Sequence, residues 1–485
     1  MFDNIGWIQT LLFVVYIIDI IMALMIVFLE RKNPSATLAW IMVLFLIPIG
    51  GIILYLLFAQ NIARKKLFRL TKYERQVIEE ELIDQIDEVR HDRFFYGKKN
   101  IAEWKDLILL NQNYSSSYLT QGNDISILTD GRHMFDSLLA DIAMARESIN
   151  IQFFIVKNDS AGRRLVEALT AKAKEGVEVR FLLDALGSRR MTPAVLADFM
   201  AAGGKAAYFF PPKFKYLNFR FNYRDHRKIA VIDGWTGYLG GFNVGNEYLG
   251  KKPKFGYWRD THLRLSGNCI RDINARFLLD WRLASHENIT IDYDFRGAVP
   301  ATEGAAIQIV SSGPDTARQE VKHAYLKMMT SAKKSIYIQS PYFIPDVSIL
   351  ESLVNAAESG VDVRIMIPRM PDHMFVYWGT YYYCGLLLRS GVRVFIYDKG
   401  FLHAKTMSVD GEVCSVGSAN FDTRSFKLSF ETNAFIFDDE KAFELEAIFE
   451  EDMAECHELT RALYAQRSYW IRLKEGIAKL LSDIL

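Results

Sequence analysis

Residues 223–243 read YRDHRKIAVIDGWTGYLGGFN, and residues 400–420 read GFLHAKTMSVDGEVCSVGSAN. Laid over each other, they place His226 on His403, Lys228 on Lys405, Asp233 on Asp410 and Asn243 on Asn420. The offset, 403 − 226, is 177, and it holds for every pair. A single His-x-Lys on a strand is most often surface decoration. Two copies, each followed by Gly-x-x-Asn at the same distance, remove that reading. On an extended strand, residues i and i+2 share a face, so each copy presents an imidazole beside an ammonium. That pairing suits a phosphoester: a ring nitrogen can reach phosphorus while the ammonium holds a non-bridging oxygen as a point charge. The duplication supplies two imidazoles, one to attack and one to donate a proton. The glycines let backbone approach the site, and Asn243 and Asn420 can donate amide hydrogens to phosphate oxygens.

The repeat extends outward from the motifs. ARESINIQFFIV (145–156) matches AKKSIYIQSPYF (332–343), and GVEVRFLLD (176–184) matches GVDVRIMIP (360–368). Each unit is an amphipathic helix followed by a β-branched run, the pattern of an α/β fold with a mostly buried central sheet. A period this long is no solenoid. The expected architecture is a duplicated α/β domain, residues 121–300 and 301–455, as two α-β-α sandwich halves related by a pseudo-twofold. Early strands are offset by 187 (335 − 148) rather than 177, so the first half carries about ten extra residues before His226. That insert, KFKYLNFRFNYR (213–224), interleaves basic and aromatic residues. It suits a lipid interface, single-stranded nucleic acid, or a loop packing on its own domain.

One acidic residue follows each motif: Asp260 in WRDTH and Glu431 in SFETN, at 260 − 226 = 34 and 431 − 403 = 28 residues. A carboxylate that holds one imidazole nitrogen leaves the other free to attack, so both are candidate histidine-orienting residues.

Lys+Arg and Asp+Glu are both 58, giving zero net charge over 485 residues, which argues against a nucleic-acid coat protein. Cys269, Cys384, Cys414 and Cys456 fit neither a disulfide framework nor a zinc spacing. The nine histidines have no HExxH or CxxC companions, so no metal and no cofactor is expected.

Residues 10–29 are apolar except for Asp19, and residues 36–59 carry no charge. Each is long enough to cross a hydrocarbon core of about 30 Å, with the polar turn Glu30-Arg31-Lys32-Asn33-Pro34 between them. The expectation is a two-helix transmembrane hairpin over residues 1–65. A cleaved signal peptide fits poorly, because no basic region precedes the first helix and a second span follows at once. Arg64, Lys65, Lys66, Arg69 and Lys72 place the globular part in the cytoplasm, although Arg31 and Lys32 pull the other way. Asp19 is costly mid-span unless paired or wet. Residues 66–120 read as a charged, helix-prone connector. Residues 456–485 end in an amphipathic helix with Trp470, Leu473, Ile477, Leu480, Leu481 and Ile484 on one stripe. That stripe serves either a membrane interface or docking onto the protein.

Over residues 121–450 the paired motifs resemble the HKD motifs of the phospholipase D superfamily. ERKNPSATLAW (30–40) with Pro48, Gly50, Gly51 and Tyr55 resembles the hairpin of bacterial cardiolipin synthases, as do IVSSGPD (309–315), PYFIP (341–345) and Pro371-Asp372-His373. The resemblance implies a duplicated phospholipase D-type domain whose halves share one metal-free site. Its catalytic set is His226, Lys228, Asp233, His403, Lys405 and Asp410. Asp233 and Asp410 would tie motif strands or lysines in place. The implied reaction is phosphatidyl transfer. His226 attacks the phosphorus of one phosphatidylglycerol and His403 protonates the departing glycerol. His403 then deprotonates a second phosphatidylglycerol, which displaces His226 as cardiolipin. The two histidines can exchange roles, and phosphatidylethanolamine can serve as donor in the same scheme. Rival readings are a hydrolytic membrane phospholipase D and a membrane-anchored phosphodiesterase or nuclease. The implied partners are anionic phospholipids, not nucleic acid, for a multi-pass protein of the bacterial inner membrane. Two departures stand out: Asp225 where the family commonly has Asn, and Cys384-Gly385 where acidic residues are common. If Asp225 faces the site, it raises the proton affinity of His226.

Overall fold

The computed structural model describes residues 2–29, 34–47, 49–58, 67–68, 70–211, 222–291, 303–370 and 372–481. Two sheets carry the repeat, strand for strand. The first runs, edge inward, Lys205–Phe209, Glu178–Asp184, Ser148–Phe153, Lys228–Ile232, Thr236–Gly240, Tyr257–Ser266 and Leu119–Asp130. The second runs Arg393–Tyr397, Asp362–Pro368, Ser335–Gln339, Thr406–Val409, Val413–Gly417, Ser429–Phe437 and Ala305–Ser312. In both, the first three strands are parallel and the rest antiparallel. Leu119–Asp130 pairs with Ala305–Ser312 through residues 119–123 and with Tyr257–Ser266 through residues 124–130, so the two sheets join.

The apolar runs after each His-x-Lys become the central strands. Lys228–Ile232 and Thr406–Val409 are buried throughout, as a strand covered on both faces requires. The covering helices are written locally. Asp159 caps Ser160–Lys174 and Asp346 caps Val347–Glu358 through backbone amides. Gly176 (φ 89°) and Gly360 (φ 93°) follow these helices in the left-handed region, where a Cβ is strained.

Residues 66–120 are more than a connector. The helix Lys72–Arg90 opens on a Thr71/Glu74 capping box. Val89, Trp104, Leu107 and Ile108 are buried in the core of the second half. The polar composition read as a spacer is the solvent side of helices whose narrow apolar face is covered.

At the N-terminus, Phe2–Leu29 is one helix, but the expected second span is two, Pro34–Leu46 and Gly50–Phe58. The break falls where Ile49 takes φ 64°. Counting only residues whose side chains are described, no helix is long and apolar enough to cross a membrane. The arms meet in a small cluster, Ile26, Trp40, Leu44 and Tyr55, with Trp40 and Tyr55 edge to face at 5.4 Å. Asp19 is buried, and its Oδ1 has no hydrogen-bond partner among the described residues. Outward the arms expose Phe13, Tyr16, Leu24, Phe28, Met42 and Leu46.

The C-terminal helix Tyr469–Leu481 lies on Met374–Leu387. It docks through buried Glu475 and Ala478, with Glu475 3.1 Å from Arg467. Trp470, Leu473, Ile477 and Leu480 stay exposed. Docking therefore uses the opposite face from the apolar stripe, and the two expected uses are not alternatives. The side chains of Leu481 and Ile484, residues 213–221 of the insert, Pro48, Pro371, Arg69 and residues 30–33 and 59–66 lie outside the described residues.

Candidate active site

Each histidine is delivered by a short strand that crosses to the other half. Arg224–Asp225 pairs in parallel with Ser429–Phe430, and Gly400–Leu402 pairs in parallel with Tyr257–Arg259. The His226 amide then donates to the Phe430 carbonyl at 3.0 Å, and the His403 amide to the Arg259 carbonyl at 2.6 Å. The next residue on each accepting strand is the carboxylate, Glu431 or Asp260. Both Glu431 oxygens lie 3.0 Å from His226 Nδ1, and Asp260 Oδ2 lies 2.6 Å from His403 Nδ1. The carboxylates are thus exchanged between halves, which their even spacing after the motifs does not disclose. His226, Arg227 and His403–Lys405 are not themselves strand residues: the regular strands begin at Lys228 and Thr406.

An ionised carboxylate only accepts, so Nδ1 of each ring carries the proton and Nε2 keeps the lone pair. Desolvation pushes His403 down to about 4, and Lys405 adds to this against the opposing pull of Asp260. His226 is also lowered, first by desolvation, with Glu431 opposing. Burial works to raise Asp260, but Lys405 and His403 outweigh it and hold it below the usual carboxylate range. Both histidines are therefore held toward the neutral form, and Asp260 toward the carboxylate.

Lys228 and Lys405 are both buried, and each donates to the backbone carbonyl of its own motif histidine. Desolvation lowers Lys228 to about 7 and Lys405 to about 8. Asn243 Oδ1 accepts from the Ile155 amide at 3.0 Å, and Asn420 takes its place in the second half with its backbone amide on Ser425 Oγ at 3.3 Å.

Asp233 and Asp410 lie elsewhere. At the far ends of the motif strands, Asp233 accepts from the amides of Arg146, Glu147 and Ser148 at 2.7–2.9 Å. Asp410 repeats this with Lys333, Lys334 and Ser335 at 2.7–2.8 Å. Both sit at positive φ, 51° and 59°. They tie strands, not lysines, and their inclusion in a catalytic set is corrected: the strand length that separates them from the histidines carries them out of the cavity.

Asp225 faces away from His226, as the alternation of an extended chain requires. It accepts from Gln152 Nε2 at 2.5 Å, and burial, with Asp280 adding, raises its pKa. Arg227 lies on the same side, donating to Asp280 at 2.9 Å, Thr432 Oγ1 at 2.9 Å and the Ser312 carbonyl at 3.2 Å. Across the pseudo-twofold, Arg259 and Gln339 meet Asp452 at 2.9 and 2.7 Å. The contacts of Arg227 with Thr432 and Ser312, and of Arg259 with Asp452, join the two halves beside the histidines.

Both histidines and both asparagines line one cavity of about 610 Å³. Phe154 stands edge-on to His226 at 5.0 Å, and Trp258 lies 5.3 Å from His403. Arg224, Glu247, Tyr342, Asp372 and Arg424 also line it, and the sequence reading did not single out Arg224, Glu247 or Arg424 as site residues. The signal was present: the same offset of 177 places Glu247 on Arg424. Among the described residues, no three His, Cys, Asp or Glu side chains are grouped to hold a metal ion.

A duplicated α/β domain with two histidine–carboxylate pairs crossed into one cavity defines the phospholipase D-like class. The fold agrees with that of the phosphatidylserine synthase of Haemophilus influenzae Rd KW20, at TM-score 0.59 and 16% identity over 78% of this chain and 100% of that one. The family described as cardiolipin synthase, PLD-like domain, matches residues 138–252 and 325–453, and the phospholipase D-nuclease N-terminal family matches residues 6–60. The chain is 47% identical to the major cardiolipin synthase ClsA of Bacillus subtilis (strain 168), covering 98% of this chain and 99% of that protein. It is 46% identical to the cardiolipin synthase of Staphylococcus aureus (strain Mu50 / ATCC 700699), over 97% and 95%. The chain belongs to the cardiolipin synthase family of PLD-like proteins.

Proposed function

We propose that this protein is a phosphatidyltransferase that joins two phosphatidylglycerol molecules into cardiolipin and releases glycerol. The observation that carries this is the pair of crossed histidine–carboxylate dyads on one cavity, in a chain alike over its whole length to cardiolipin synthases.

The Nε2 lone pair of His226 attacks the phosphorus of the first phosphatidylglycerol, and the phosphorus–oxygen bond to glycerol breaks. His403 delivers a proton to the leaving oxygen. Burial disfavours that proton before substrate binds, and the bound phosphodiester anion supplies the charge that restores it. His403 then takes the proton of a hydroxyl on the second phosphatidylglycerol. The freed oxygen displaces His226 and closes the new phosphodiester. Glu431 steadies the positive charge on the phosphorylated ring of His226, and Asp260 that on protonated His403. Lys228, Lys405, Asn243 and Asn420 supply donors for the equatorial oxygens, whose charge grows at the pentavalent stage. Exchange of the histidine roles gives the same product. The histidine whose single alanine variant fails to trap labelled phosphatidyl enzyme, when the other variant still traps it, is the nucleophile.

We assign the N-terminal arms to the bilayer of a bacterial cell membrane, with the catalytic body on its cytoplasmic side. Their small core and outward shell of Phe13, Leu24, Phe28 and Met42 support this, because such a surface is stable in lipid and costly in water. Exposed Met374 and Phe375, next to cavity residue His373, and the outward stripe of Tyr469–Leu481 give the body its own apolar contact with the membrane. Sedimentation after an alkaline wash tests the anchoring: the full chain stays with the membrane, and release into the supernatant contradicts the assignment.

A further inference from the structure

The catalytic cavity is not symmetric. Across the pseudo-twofold, Arg424 corresponds to Glu247, and Arg224 to Phe401. One side of the cavity wall therefore carries two guanidinium groups, one from each half of the chain: Arg224 on the short strand before His226 and Arg424 on the helix Thr423–Lys427 after Asn420. The equivalent positions carry no such pair: Glu247 lines the cavity with its charge met by Lys157 and by Lys252 at 3.1 Å, and Phe401 is buried against Trp258 at 4.7 Å. The two arginines are close enough that Arg224 weakens the proton affinity of Arg424, on top of desolvation and against Asp422. Asp184 lies 3.5 Å from Arg224, but its oxygens also serve the amides of Leu186, Gly187 and Asp225. Asp422 is likewise engaged by the Ser425 amide at 2.6 Å. Two desolvated, neighbouring guanidinium groups in a substrate cavity form a place for an anion with paired oxygens.

Arg224 precedes His226 by two residues of extended chain, roughly 6.5 Å of rise. Two phosphodiesters that share one glycerol are separated by a three-carbon bridge of that scale. We propose that Arg224 and Arg424 form a second phosphate subsite, which holds the non-reacting phosphodiester of the acceptor lipid while its free hydroxyl reaches the phosphohistidine. This rests on the transfer reading above and deepens it: it explains how the site selects a phospholipid hydroxyl over water or free glycerol. The pseudo-twofold does not repeat this arginine pair, which gives the two lipid positions different identities.

The test uses the full chain in phosphatidylglycerol vesicles with labelled glycerol added. Cardiolipin formation needs an acceptor with a phosphate; incorporation of labelled glycerol into phosphatidylglycerol does not. In R424Q and R224Q, the ratio of cardiolipin formed to glycerol exchanged falls on the order of tenfold or more, the loss expected for a charge-assisted contact. R424K retains more of the ratio than R424Q. Continued exchange shows that the variants fold and still form the phosphatidyl enzyme. A wild type that makes cardiolipin, with variants whose ratio is unchanged, overturns the subsite alone. A wild type that yields only phosphatidic acid overturns the transfer reading and the subsite with it.

Discussion

His403 Nδ1 lies 2.6 Å from Asp260 Oδ2, and the two residues come from opposite halves of a duplicated chain. Glu431 returns the relationship to His226 at 3.0 Å. The backbone explains why: each histidine amide bonds the carbonyl that immediately precedes the carboxylate. One inter-domain pairing thus sets both the ring and its partner, and neither half holds a complete dyad.

Asp260→Asn and Glu431→Gln are each expected to lower turnover of phosphatidylglycerol by on the order of 10²–10⁴, because the amide no longer fixes the tautomer or steadies the imidazolium. Thermal melting with little change separates this from unfolding. Near wild-type rates in either variant would remove the orienting role.

The lysines set the alkaline limb. Lys228 and Lys405, lowered to about 7 and about 8, lose their charge as pH rises through that window, and with it their hold on the phosphodiester. kcat/KM, which reports free-enzyme ionisations, should decline from about pH 7 and fall further above about pH 8. Ordinary lysines would postpone the fall by more than two pH units. A kcat/KM profile flat to pH 10 is the contrary result.

Asp233→Ala and Asp410→Ala act on the fold. Each removes the acceptor for three backbone amides and leaves a non-glycine residue at positive φ. The expected cost is about 1–3 kcal/mol of stability, read as a lower denaturation midpoint. Activity per folded molecule should fall far less than in His226→Ala or His403→Ala. A loss as complete as that of the histidine variants, at unchanged stability, would return these aspartates to the chemistry.

Removal of residues 467–485 exposes the face of Met374–Leu387 and takes away Trp470, Leu473, Ile477 and Leu480. Partition of residues 66–466 onto anionic vesicles should be several-fold below that of residues 66–485. Equal partition would mean that the stripe has no part in membrane contact.

Much of this was legible in the residues. The repeated His-x-Lys, the buried runs 229–232 and 406–409, and the offset between copies yield two equivalent sheets, because periodicity and burial are local properties of a strand. The carboxylates Asp260 and Glu431 were also visible, but not their exchange, which depends on parallel pairing between segments distant in the chain, so that the partners stand 143 and 205 residues apart. Asp225 next to His226 invited a site role that the alternation of side chains along an extended chain denies. The break at Ile49 is marked in the sequence by Pro48 and Gly50-Gly51, but a reading by hydropathy alone runs through it, because none of these residues is charged. In the sequence Arg224 and Arg424 are ordinary basic residues, and only the shared cavity brings them together.

Transfer between two lipids at one two-half site fixes the product balance. It is measured on purified full chain incubated with phosphatidylglycerol alone, by mass spectrometry of lipids and assay of free glycerol. Cardiolipin and glycerol in equal amounts, both abolished in His226→Ala and in His403→Ala, are the predicted result. Phosphatidic acid without cardiolipin would contradict it.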